Sequence, residues 1–142
     1  MNPPPVLNVE PIYALLRKAQ EAIAIGDEDS AERFCDDAWN AIPEPKYGWD
    51  SSYICTSHEV ALLRSLRRFD KAISLTQGYL DSGFHLEYED GPFFWLGTLH
   101  FEKDDLDKAY EFFERANKMS RGHCFREEDP KYKLFFKGYA AK

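Results

Sequence analysis

The sequence has no run of apolar residues approaching the roughly 18 needed to cross a bilayer as a helix. No membrane partner is therefore expected. Its first residues, Met1-Asn2-Pro3-Pro4-Pro5, offer no basic stretch leading into an apolar run, so they do not read as a secretory signal. Cysteine is scarce. Cys35, Cys55 and Cys124 are odd in number and widely spaced, which suits reduced thiols rather than a disulfide framework. A cytoplasmic location is the expectation. Cys35 falls on an apolar helix face and reads as a small buried hydrophobe.

Catalytic signatures are also missing. There is no glycine-rich phosphate loop and no nucleophile elbow. His58-Glu59 begins like a zinc-protease helix, but Leu62 stands where the second histidine would be required. His58, His85, His100 and His123 are scattered, and His100 lies on an apolar helix as a packed or rim residue. His123-Cys124 is an adjacent pair beside the helix-ending Gly122, and adjacency does not make two side chains face each other. The acidic clusters Asp27/Glu28/Asp29 and Asp104/Asp105/Asp107 lack the glycine and the distant glutamate of a calcium loop. They read instead as caps on helix amino ends. The expectation is a protein that is not an enzyme, with no catalytic residue, no metal and no cofactor.

What remains is a chain with a large core. Its 142 residues are the length of one domain, 44% apolar and 15% aromatic, far from a disordered composition. The net charge of −7 is uneven. Residues 1–114 carry 22 acidic and 10 basic side chains, whereas residues 115–142 carry 3 and 8, so a body of −12 ends in a segment of +5. Such a body repels nucleic-acid phosphates and attracts a basic partner. The basic end (Arg115, Lys118, Arg121, Arg126, Lys131, Lys133, Lys137) reads as the solvated face of a last helix.

Three segments superpose on a central alanine: Gly26 to Phe34 on Ala31, Arg67 to Ile73 on Ala72, and Asp104 to Phe113 on Ala109. Each is a polar turn opening a helix, and each follows another helical stripe such as Ile12, Leu15, Leu16, Ala19, Ala22 and Ile23. The pattern predicts three helix pairs at about 12–43, 51–83 and 92–122, then a short helix at about 130–138 with Pro130 in its first turn. All belong to one all-α domain, 1–142. The third pair, with Phe93, Leu96, Gly97, Ala109, Phe113 and Ala116, resembles the tetratricopeptide repeat, a helical hairpin of about 34 residues. Leu15, Ala19, Gly26, Ala31, Ala38 and Pro43 fall at matching places in the first pair. The second pair departs from the pattern at Val60 and Tyr79. The anchor alanines Ala31, Ala72 and Ala109 lie 41 and 37 residues apart, which places the excess in the connections 44–50 and 81–91.

The resemblance implies a tetratricopeptide-like solenoid whose first helices line a groove. Tyr13, Leu16, Gln20 and Ile23 would line it in the first pair, Ser57, Ala61 and Arg64 in the second, and Phe94, Thr98, Phe101 and Glu102 in the third. The helix around Phe93 to Phe101 is apolar nearly all round, so either the final helix or a partner covers its outer side. The long connections add Tyr47 and Trp49, then Glu87, Tyr88, Glu89 and Asp90, aromatics among acids that suit a basic, partly apolar partner. Compact acidic chains of this style are similar to bacterial immunity proteins, which implies binding and neutralising a basic toxin domain such as a nuclease. The alternative is an adaptor or chaperone that holds a peptide in the groove. The absence of a polar terminal cap leaves room for a homodimer.

Overall fold

Pro11 lies in the first turn of α1 (Glu10–Ala24), where its missing N–H forfeits no helical bond. Ile12, Leu16, Ala19 and Ala22 are buried at spacings of three and four, while Leu15 and Ile23 are half-buried at the edges of the stripe. α2 (Glu28–Asn40) is capped by Asp27, whose carboxylate accepts from the Ser30 amide at 3.2 Å. Small residues on its inner face (Ala31, Cys35, Ala38) are fully buried against α1. The chain continues as α3 (Ser52–Ser65), α4 (Phe69–Asp81), α5 (Gly91–Glu102), α6 (Leu106–Ser120), a 3-10 turn at His123–Phe125, and α7 (Pro130–Ala140). This computed structural model describes residues 3–140, and among them there is no strand. The all-α class expected from the periodicity is observed.

The turns α1–α2, α3–α4 and α5–α6 share one geometry. Gly26, Arg67 and Asp104 each adopt a left-handed φ, at 80°, 60° and 67°. The next amide reaches back five residues in every case: Asp27 to Ala22 O at 2.9 Å, Arg68 to Leu63 O at 2.8 Å, and Asp105 to His100 O at 2.8 Å. This is the Schellman arrangement, which satisfies the last carbonyls of a helix. Only the first turn has the glycine that such a φ favours.

The described chain divides into two compact units, one reaching to Leu75 and the other starting at Thr76. The boundary falls inside α4, within the second predicted pair, the one that departs most from the repeat pattern. In the first unit, Glu32 of α2 accepts from Arg68 at 2.8 Å and from Lys71 at 2.9 Å, tying α2 to the start of α4. In the second unit the core is aromatic. Phe93, Phe94, Phe113, Phe125 and Tyr132 are buried together, with Phe94 centred 5.3 Å from Phe113 and 5.5 Å from Phe125. Such tilted and edge-on pairs suit the ring quadrupole. α6 and α5 pack closely because Gly97 leaves room for the Phe113 ring.

Candidate functional site

The loop of residues 43–50 is tied down inside the first unit. The Tyr47 hydroxyl donates to the Leu75 carbonyl at 2.9 Å, and its ring lies 5.4 Å from that of Trp39. Burial raises the Tyr47 hydroxyl pKa above its ordinary value. Trp49 Nε1 donates to Pro43 O at 2.9 Å. Between them Lys46 Nζ donates to Trp39 O and Ile42 O, both at 2.8 Å, closing the carboxy end of α2 with a cation. Both predicted anchor rings are thus half-buried and engaged within the loop's own packing.

The predicted groove positions of the third pair need correcting. Phe94 and Thr98 are buried and present no side chain to a partner. Phe94 belongs to the aromatic core, and the Thr98 hydroxyl donates to Trp95 O at 2.7 Å. Phe101 and Glu102 are taken up by α7. The Phe101 ring lies 5.0 Å from Phe135 and 5.6 Å from Tyr132, and Glu102 pairs with Lys131 at 2.9 Å. The final helix covers this face because its own aromatic stripe (Tyr132, Phe135, Phe136) would otherwise be in water. Arg64 lies half-buried on α3 in the other unit.

The connection after α4 behaves differently. Gly83 takes φ 85° and turns the chain out of the helix. Beyond it, three large apolar or aromatic side chains reach solvent. Phe84 is 45% exposed, Leu86 46% and Tyr88 77%. His85 turns inward, edge-on to Tyr79 at 5.8 Å and Phe93 at 5.7 Å, with Nε2 3.0 Å from Glu89 O. Glu89, predicted as a contact residue, instead holds the loop in shape: its carboxylate accepts from the Tyr79 hydroxyl at 2.7 Å and the Leu86 amide at 2.9 Å. Glu87 and Tyr88 are exposed, while Asp90 is half-buried ahead of α5, its carbonyl accepting from the amides of Phe93 and Phe94. Behind the loop lies an open cavity of about 570 Å³ lined by Gln77, Leu80, His85, Glu87, Phe93, Arg115 and Met119. The Arg115 guanidinium sits 4.0 Å from the centre of the Phe93 ring.

A smaller cleft of about 190 Å³ lies between α1 and α3, lined by Tyr13, Leu16, Arg17, Gln20, His58 and Leu62. Three of the predicted groove residues of the first pair (Tyr13, Leu16, Gln20) meet there. From α3 the lining is His58 and Leu62, one position beyond the predicted Ser57 and Ala61.

The periodicity carried no sign of Glu59. This α3 carboxyl is only 2% exposed, and its Oε1 has no hydrogen-bond partner. Burial pushes its pKa up to about 8, with Asp36 adding to the shift and Lys71 opposing it. Burial, then the nearby Glu59, pushes the Cys35 thiol up to about 12 and the Cys55 thiol to about 11. Neither thiol is a ready nucleophile. His100 stacks on Phe112 at 5.4 Å, and burial lowers its pKa despite Asp105 Oδ2 at 3.5 Å from Nδ1. Among the described residues, no three His, Cys, Asp or Glu side chains are grouped to hold a metal ion.

No protein-family model, curated protein or solved structure matches this chain. Its reading therefore rests on its own surfaces. Of those described, the face built by residues 84–88 combines exposed rings, the exposed Glu87 carboxylate and a cavity within one unit.

Proposed function

We propose that the chain is a protein-binding helical scaffold that docks a basic partner on the 84–88 loop and neutralises it, as an immunity protein does a toxin domain. The observation that carries this reading is the exposure of Phe84, Leu86 and Tyr88 on one short loop whose backbone is braced by Glu89 and His85. Large apolar groups left in water gain about 25 cal/mol per Å² when a partner covers them. A loop already held in shape loses little further freedom on binding. The excess of carboxylates over residues 1–114 speeds encounter with a cationic surface. A nuclease fits this description, since its phosphate-binding cleft is basic and acids such as Glu87 would occupy it.

A second reading is a peptide-holding adaptor, and the α1–α3 cleft with Arg17, Gln20 and His58 favours it. One experiment separates the two. The chain is co-expressed with any product of an adjoining gene that stops growth when expressed alone, as wild type, as Phe84→Ser/Tyr88→Ala, and as Arg17→Ala/His58→Ala. Neutralisation is expected to restore growth with wild type and with the cleft variant, and to fail with the loop variant. Rescue lost only in the cleft variant would move the docking surface from the loop to the α1–α3 cleft, and no rescue by wild type would sink the immunity reading.

A further inference from the structure

The cleft between α1 and α3 differs in charge from the unit that holds it. Residues 1–75 carry 12 acidic side chains against 8 basic, yet no carboxylate lines this cleft. Its polar groups are the Arg17 guanidinium, the Gln20 amide, the His58 imidazole and the Tyr13 hydroxyl, and each can donate a hydrogen bond. Among the described residues, no hydrogen bond or ion pair engages the side chain of Arg17, Gln20 or His58. Burial raises the Tyr13 hydroxyl pKa, with Cys55, Asp50 and Glu10 adding to the shift, so this group stays a neutral donor. Neither Asp50 nor Glu10 lines the cleft.

The rest of the lining is apolar. Leu16 and Leu62 are buried and form the floor, and the Tyr13 ring stands edge-on to that of His58 with centres 6.0 Å apart. The volume is about 190 Å³. A cavity of about 150 Å³ holds a benzene ring, whereas drug-sized ligands need about 300 Å³ or more. One ring with a short polar arm fills such a space.

We infer that this cleft binds a free aromatic monocarboxylate about one ring in size. The ring would displace water from Leu16, Leu62 and Tyr13. The carboxylate would accept from the planar fork of Arg17, with Gln20 or His58 as a further donor. An amine would meet a guanidinium there and no acid. The acidic unit decides between a free acid and an acidic segment of a protein. A monoanion carries its only charge into the cleft, whereas a segment with further carboxylates would hold them against the surrounding excess of acids. The inference does not rest on the loop reading above, because that loop belongs to the other unit.

Amide chemical shifts of the full chain test it with phenylacetate, its uncharged counterpart phenylacetamide, and acetate. Saturable shifts are expected at Tyr13, Arg17, Gln20, His58 and Leu62 with phenylacetate. Its affinity should exceed that of phenylacetamide by about two- to five-fold, the scale of an exposed ion pair. Acetate, which has the charge without the ring, should give no saturable shift over the same concentrations. Arg17→Gln, at an exposed helix position, should remove the preference for acid over amide while the unbound spectrum keeps its folded pattern. Phenylacetamide binding as tightly as phenylacetate, shifts centred away from the cleft, no saturation by phenylacetate, or a preference that survives Arg17→Gln would each overturn the inference. So would tighter binding of the capped acidic peptide acetyl-Glu-Phe-Glu-amide, which would make the cleft a protein-docking surface instead.

Discussion

A methyl group placed on Gly97 would lie 2.6 Å from Cδ1 of Phe113, closer than any relaxed carbon contact. α5 approaches α6 at this point because one helix contributes no side chain and the other fills the space with a fully buried ring. The intervening atoms belong to a rigid core aromatic, so neither partner yields easily.

Gly97→Ala is therefore expected to destabilise the second unit by about 1–3 kcal/mol, even though alanine is the better helix former by about 1 kcal/mol. Urea unfolding followed by far-ultraviolet dichroism measures it. A variant as stable as wild type would show that Phe113 can move aside and that the close approach carries no energy.

Glu59 sets a pH dependence whose sign follows from its raised pKa. With a folded value near 8, the native carboxyl keeps a proton that the unfolded chain releases at ordinary carboxylate values. The native state thus loses stability as pH rises from about 5 to 8, by at most about 1.4 kcal/mol per pH unit from this group, and the loss levels off above the folded pKa. The groups facing it are Asp36, which adds to the shift, Lys71, which opposes it, and the thiols of Cys35 and Cys55. Glu59→Gln keeps the shape without the titration. Its thermal midpoint should exceed that of wild type at pH 8 and approach it at pH 5; parallel pH profiles for the two proteins would refute the assignment.

Asp104 holds a left-handed φ of 67° at the turn where the first hairpin uses Gly26. Asp104→Gly should relieve a backbone cost of about 1 kcal/mol, offset in part by the extra freedom of glycine in the unfolded chain. The expected gain is about 0.5 kcal/mol, read as a higher denaturation midpoint with an unchanged slope. A loss of stability would mean that the aspartate side chain makes a compensating contribution.

The helices themselves were legible in the sequence, with boundaries within about two residues, because their signals are local. Pro11, Asp27, Gly26 and Pro130 act on their own turn of backbone, and the three- and four-residue spacing of apolar groups needs no knowledge of distant residues. The shared turn geometry was visible as aligned alanines, although Arg67 and Asp104 hid two of its left-handed residues. The contact through Gly97 was also foreseeable, since a small residue at that register marks a close helix pair.

The site was not legible in the same way. Tyr47, Trp49 and Glu89 look like free loop residues in one dimension, and only the folded chain shows their hydrogen bonds turned inward. Phe94 and Phe101 read as a groove until α7 lies across them. Glu59 occupies an ordinary helical position, and its burial depends on neighbours from other helices. Periodicity determined which faces are apolar, a property of each helix alone. Which faces stay open to a partner was decided by tertiary packing, because burial depends on segments distant in sequence competing to cover the same surface.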